Sequence, residues 1–226
     1  MKIALVGYGK MGHMIEQAAK RAGHEVVTTI DVMAEDAKVK IAAGDTDSIV
    51  RAVKSSGAEG IIEFTHPTAV IANVRALLPL GLPLVVGTTG WNDKHAEIDA
   101  YAKEVGGTVM TAGNFSIGVN MFYKIVEEAA KIMSEYKDYD VATWEMHHNQ
   151  KADSPSGTAL EIARRVQMGY KDKTEIVTDA FHERPVANQL HVSSTRCGNV
   201  PGTHKVFFDG TADTIELTHT ARSREG

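Results

Sequence analysis

The chain has 226 residues, a net charge of −5 at pH 7 and a single cysteine, Cys197. That length buries a substantial core without disulfides or metals, and the scattered basic residues exclude a nucleic-acid partner and an acidic membrane surface. One cysteine forms no internal disulfide, and the apolar run Ile3-Ala-Leu-Val6 is neither a signal peptide nor a membrane span, so a protein of the reducing cytoplasm is expected.

In chain order, strands are predicted at 3–6, 26–30, 61–64, 84–86 and 109–111, separated by helical patterns at 11–22, 48–55, 69–78 and 93–105. Such alternation predicts a parallel sheet wound by helices. Gly23, Gly57, Gly81 and Gly106 each follow a helix, as C-caps do. Past a boundary near Gly113-Asn114 the texture changes. Helices at 119–134 and 157–168 and strands at 140–146, 190–195, 204–209 and 214–219 predict a second, α+β domain with a largely antiparallel sheet. Val192, Val206, Phe208, Ile215 and Leu217 form either its core face or a self-association surface.

Gly7-Tyr8-Gly9-Lys10-Met11-Gly12 follows the first strand and opens the first helix, the context in which this spacing marks a dinucleotide site. Gly7 permits the tight turn, Gly9 the approach of a pyrophosphate, and Gly12 the packing of helix on strand. Asp31 closes the second strand, where a carboxylate accepts from a ribose 2′-hydroxyl and repels a 2′-phosphate. NADH is therefore favoured over NADPH, with Lys10 either offsetting that repulsion or simply solvated. Phe64-Thr65, Gly87-Thr88-Thr89 and Gly113-Asn114-Phe115-Ser116 fall at the carboxyl ends of strands, where an open α/β sheet places its ligand. Phe64 and Thr65 suit the nicotinamide side, although a plain turn has the same composition.

Glu145-Met-His147-His148-Asn-Gln-Lys151-Ala-Asp153-Ser-Pro-Ser156-Gly157-Thr158-Ala159 gathers paired imidazoles, an ammonium and a helix-opening Ser-Gly-Thr. Those groups bind anions and move protons, although a solvated strand-to-helix loop would also accommodate the histidines. On an unbroken strand His147 shares a face with Glu145, which would orient it, and a turn at His148 would let both imidazoles reach one pocket. Asp153 has the character of a turn former or cap partner. The other eight histidines, His13, His24 and His219 among them, show no metal-ligand spacing, so no metal is expected.

These loops in this order, with His-His-x-x-Lys before Ser-Gly-Thr, resemble the dihydrodipicolinate reductases, or 4-hydroxy-tetrahydrodipicolinate reductases, of bacterial lysine and diaminopimelate synthesis. The likeness covers nearly the whole chain. It implies a Rossmann-like domain over 1–114, to which 221–226 return, and a substrate domain over 115–220 whose sheet assembles a homotetramer. It further implies hydride delivery from NADH or NADPH to a cyclic dicarboxylate, with His147 as general acid and Lys151 as second donor. His148, Ser156, Gly157 and Thr158 would hold the substrate carboxylates. The chain departs from the family in a shorter glycine loop, in Gly113 for alanine and in Asn149-Gln150 for Arg-His. It also stops before the final helix common in the family, which predicts a weakened cofactor domain. Two other readings fit the scaffold alone: a dehydrogenase of another amino or imino acid, and a non-enzymatic NADH-sensing module.

Overall fold

Gly7 donates its N–H to Ile30 O at 2.8 Å, and Phe64 N–H reaches Val6 O at 2.7 Å, which fixes the point around which the first half of the chain is wound. The structure, a computed structural model, describes residues 1–223. It divides into two units, Met1–Gly113 and the residues from Asn114 onward.

In the first unit β1 (Lys2–Val6), β2 (Glu25–Asp31), β3 (Val39–Lys40), β4 (Gly60–Glu63), β5 (Leu84–Val86) and β6 (Val109–Thr111) make one sheet. Its order is β3-β2-β1-β4-β5-β6, and every pairing is parallel. The helices are α1 (Lys10–Arg21), α2 (Thr46–Ser56), α3 (Val70–Leu77) and α4 (His95–Val105). Ala4, Leu5, Val6, Ile30, Ile61 and Leu84 are all buried, the continuous apolar run of strands covered on both faces. The strand order reverses between β1 and β4, which opens a crevice at their carboxyl ends. Strand β3, only two residues long, left no pattern to read. The helix expected from residue 93 begins instead with a 3₁₀ turn, Asn92–Lys94, held by buried Trp91. The Trp91 indole N–H donates to Thr88 O at 2.6 Å, and its ring stacks on His95 at 4.1 Å.

The second unit carries α5 (Ile117–Met133), β7 (Asp140–His147), α6 (Gly157–Gly169), β8 (Glu175–Val177), β9 (Gln189–Arg196), β10 (Thr203–Asp209) and β11 (Thr214–Thr220). The sheet order is β11-β10-β7-β9-β8. The β10 pairings with β7 and β11 are antiparallel, but β7–β9 and β9–β8 are parallel, so the sheet is mixed rather than largely antiparallel. Two crossovers account for this, α6 between β7 and β8 and the segment 178–188 between β8 and β9, each returning the chain in the same direction. Val126 and Ala130 of α5 and Ile162, Ala163 and Val166 of α6 pack with Leu190, Val192, Val206 and Phe208 in one core. Val192, Val206 and Phe208 are therefore core, not self-association surface; of the five residues considered, Ile215 is exposed at 43% and Leu217 is half-buried against the core.

Ala221 N–H bonds Gly202 O at 2.9 Å, extending the β10–β11 pairing. Residues 221–223 thus stay with the second unit rather than returning to the first, and 224–226 lie outside the described residues. Among the described residues no helix is long and apolar enough to cross a membrane.

Candidate active site

The glycines of the first loop answer to different demands. At Gly7, with φ +96°, a Cβ would stand 2.0 Å from Phe64 O, and at Gly12 one would stand 2.5 Å from Gly7 O, so the fold itself requires both. Gly9 is exposed, and a Cβ there would meet nothing within 4 Å. Nothing among the described residues demands glycine at that point, whereas a closely approaching phosphate would. Helix α1 begins beside it at exposed Lys10, with no side chain capping its first N–H groups, the arrangement of an anion site. The loop therefore fits the pyrophosphate of a dinucleotide. Tyr8 is buried at 6% and donates its hydroxyl to Glu16, which pushes the phenol up to about 12. Met11 is half-buried in the first turn of the helix.

Asp31 accepts from Tyr8 N and Met33 N at 2.6 Å each and from Ala34 N at 2.9 Å. Burial opposes its charge, but these backbone donors outweigh it and hold the carboxyl below its ordinary range. Its carboxylate thus binds the glycine loop to the end of β2. His13 lies beside the same loop, with Nδ1 2.8 Å from Gly9 O and Nε2 2.7 Å from Asp36.

At the ends of β4 and β5 the chain contains a carboxylate that the sequence reading passed over. Glu63 is fully buried and accepts from the hydroxyls of Thr65 and Thr88, the latter at 2.7 Å, and from Asn73 Nδ2 at 3.2 Å. Thr65 N–H donates to Thr88 Oγ1 at 2.7 Å, which closes the loop-to-loop link. Burial pushes the Glu63 carboxyl up, against the pull of these donors. The only sequence signal was its oddity, one carboxylate in an otherwise apolar strand. Thr88 is consumed in this link, Thr89 is exposed, and Phe64 packs where a Cβ on Gly87 would stand 2.1 Å from its ring. A Cβ on Gly113 would meet nothing within 4 Å. In the second unit Asn114 Oδ1 accepts from Ser116 N at 2.9 Å and Asn114 Nδ2 reaches Thr158 Oγ1 at 3.4 Å; Ser116 caps α5, and Phe115 is 40% exposed.

The second cluster grows from the core face of β7. Val141, Thr143, Glu145 and His147 alternate inward, so the apolar face becomes polar at the strand's end. Glu145 Oε1 accepts from Ser156 N at 2.9 Å, Ser194 Oγ at 3.1 Å and Arg196 Nη2 at 2.9 Å. Its Oε2 accepts from Ser156 Oγ and lies 3.0 Å from His147 Nδ1 and 3.5 Å from His204 Nε2. The His147 contact is close but poorly angled for a ring N–H bond. Although burial opposes ionisation of Glu145, His147, His204 and Ser156 together hold its carboxyl far below the ordinary range. Glu145, His147 and His204 bring ligand-type atoms within 4.8 Å of one another, but Arg196 and Ser156 already supply the charge and donors a cation would bring.

The strand ends at His147, and the chain turns at half-buried His148, whose carbonyl accepts Lys151 N–H at 3.2 Å. Lys151 Nζ sits 2.7 Å from Asp153 Oδ1, and the Gly157 backbone also supports the Asp153 carboxylate. Burial opposes that charge and Lys151 outweighs it, so the carboxyl is lowered. Ser156, expected to touch substrate, is 2% exposed; its hydroxyl caps α6 through Ala159 N at 3.1 Å and binds Glu145. Its groups are engaged within the protein. Gly157 is exposed, and a Cβ on it would meet nothing within 4 Å. His204, Arg196 and Ser194 escaped the sequence reading because they lie on strands remote from the motif.

A glycine loop at the carboxyl edge of a sheet ordered β3-β2-β1-β4-β5-β6, with a proton-bearing cluster on a second unit, defines a two-unit nicotinamide-dinucleotide oxidoreductase. A family model described as the N-terminus of dihydrodipicolinate reductase matches residues 1–115, and one described as its C-terminus matches residues 118–226. The chain belongs to the dihydrodipicolinate reductase family. It is 35% identical to the 4-hydroxy-tetrahydrodipicolinate reductase of Christiangramia forsetii, over all of this chain and 87% of that protein. It is likewise 35% identical to that of Archaeoglobus fulgidus, over all of this chain and 89% of the relative. Dipicolinate-bound dihydrodipicolinate reductase from Paenisporosarcina sp. TG-14 shares the fold with a TM-score of 0.74 at 21% identity, over 100% of this chain and 89% of that one.

Proposed function

We propose that this oxidoreductase reduces 4-hydroxy-tetrahydrodipicolinate to tetrahydrodipicolinate, the step its family performs in diaminopimelate and lysine synthesis. The observation that carries this reading is the Lys151–Asp153 contact. Lys151 Nζ and the start of α6 hold a carboxylate in this chain, and a substrate carboxylate would take the place of Asp153's. Exposed Gly157 and the hydroxyl of Thr158 extend that surface, and His148 sits in the adjoining turn. Dipicolinate, bound by the structural relative, is a dicarboxylate of the kind such donors suit.

The bound nicotinamide would supply the hydride. This chain's residues supply orientation and the proton. His147 Nδ1 lies 3.0 Å from the buried Glu145 carboxylate, whose negative charge favours the hydrogen on that nitrogen even though the contact is poorly angled. Nε2 is then the nitrogen that bears the transferable proton. Gly202 leaves room for it, since a Cβ at that position would stand 2.9 Å from Nε2. Lys151 steadies negative charge on the substrate and serves as second donor.

Gly7, Tyr8, Gly9, Lys10, Met11 and Gly12 would hold the pyrophosphate, and Asp31 the ribose. Phe64, Thr65, Gly87, Thr88, Thr89, Gly113, Asn114, Phe115 and Ser116 would lie along the rest of the cofactor. The ionised Asp31 supports a preference for NADH over NADPH, through repulsion of a 2′-phosphate. A homotetramer in the cytoplasm completes the proposal.

Oxidation of NADH and, separately, NADPH tests it, with substrate generated in the cuvette from pyruvate and aspartate semialdehyde by an added synthase. Turnover faster with NADH, falling at least a hundredfold in His147→Gln and Lys151→Ala, is the expected result. Tight NADH binding without turnover would refute the substrate.

A further inference from the structure

Two imidazoles face one carboxylate in the second unit, and the hydrogen-bond pattern distinguishes their protonation. His147 and His204 meet edge to face, with ring centroids 5.1 Å apart. His204 Nε2 lies 3.5 Å from Glu145 Oε2 and 3.4 Å from Ser156 Oγ. The Ser156 oxygen already gives its hydrogen to Glu145 and accepts Ala159 N–H. A bare Nε2 would turn a lone pair toward two oxygens, so Nε2 carries hydrogen. The opposite nitrogen, Nδ1, is buried without a hydrogen-bond partner among the described residues. A bare ring nitrogen tolerates that position far better than an unpaired N–H, and a cation tolerates it least. His204 is therefore the neutral Nε2–H tautomer, in keeping with the lowering of its basicity by burial.

We propose that His204 is a positioning residue that sets the acidity of His147 through Glu145: its Nε2–H shares the negative charge of Oε2 and limits how strongly that oxygen holds a proton on His147. The charged and hydrogen-bonding groups of the cluster are Glu145 and His147 on β7, Ser194 and Arg196 on β9, His204 on β10 and Ser156 at the start of α6, with Lys151 paired to Asp153 in the turn after β7. Arg196, at 2.9 Å, and Ser194, at 3.1 Å, load Oε1, whereas Ser156, His147 and His204 converge on Oε2. Only one of those three is a second imidazole, and its orphaned Nδ1 keeps it from taking the proton itself. One exchangeable proton is thereby placed on His147 alone, where the proposed reaction needs it. This placement rests on the general-acid role proposed for His147; the tautomer of His204 does not.

The test is the imidazole titration of His147, followed by nitrogen NMR on the full-length protein, beside the pH profile of kcat/KM. His204→Phe keeps ring volume and removes the donor, so the His147 midpoint moves up by about one pH unit. His204→Gln restores an N–H donor and returns the midpoint close to the native value. Glu145→Gln moves it the other way. Ser194→Ala, a mild change that removes a donor from the same carboxylate, moves it up by a smaller amount and serves if His204→Phe does not fold. A His147 midpoint that stays still or falls in His204→Phe, or in Ser194→Ala where that stands in, overturns the inference. If the midpoint moves while the high-pH fall of kcat/KM does not, the inference stands and the general-acid reading of His147 is wrong.

Discussion

Gly7 and Gly9 stand two residues apart and answer to different forces. A Cβ on Gly7 would overlap Phe64 O, and its φ of +96° disfavours any other residue. Gly7→Ala should cost roughly 2–4 kcal/mol of stability through strain and overlap. Gly9 has ordinary backbone geometry, φ −76°, and open space at its Cβ position. Gly9→Ala should change stability by less than about 1 kcal/mol yet weaken NADH binding at least tenfold. Urea unfolding and NADH fluorescence titration, run on both variants, check the pair of outcomes; equal loss of stability would refute the division of labour. At this scale the sequence was informative about motif residues, because the spacing of Gly7, Gly9, Gly12 and Asp31, and of His147 and Lys151, is local. Glu63, Arg196 and His204 were not legible as members of these clusters, since Thr88 for Glu63 and Glu145 for Arg196 and His204 are brought near only by strand pairing.

Among elements, α5 and α6 approach closely where they cross at Gly169. A Cβ on Gly169 would stand 2.6 Å from Lys131 N and 2.7 Å from Ala130 Cβ, so the backbones there leave no room for a methyl group. Gly169→Ala should lower the stability of the second unit by about 1–3 kcal/mol, read as an earlier urea midpoint with an unchanged denaturant slope. A neutral result would mean that the helices part easily at this crossing. Most elements were predictable from periodicity and glycine punctuation, with ends differing by a residue or two. Pairing direction was not. Strands β7 and β9 read like any other alternating strands, and only the two crossovers between them, through α6 and through 178–188, made their pairing parallel. The two-residue β3 carried too few residues for a pattern.

For the whole molecule, the buried positions decide which sheet face is free to associate. Val192, Val206 and Phe208 are covered by α5 and α6, so a homotetramer built on this sheet must use the opposite face, where half-buried Trp144, Met146, Lys205 and Phe207 lie. Light scattering should return about four times the 24.4 kDa chain mass, and Phe207→Glu should reduce it by placing a charge on that face. A single-chain mass for the native protein would remove the assembly from the proposal. The sequence by itself determined the α/β class, the family, the glycine loop and the His147–Lys151 turn, because periodicity, turn chemistry and short motifs are written in neighbouring residues. The tertiary structure decided which face of the second sheet is core, that Ser156 serves Glu145 and the α6 cap, and that Arg196 and His204 join His147 around one carboxylate. Those outcomes depend on register and crossover between residues as much as 59 positions apart in the chain, from Glu145 to His204, and local pattern contains no record of them.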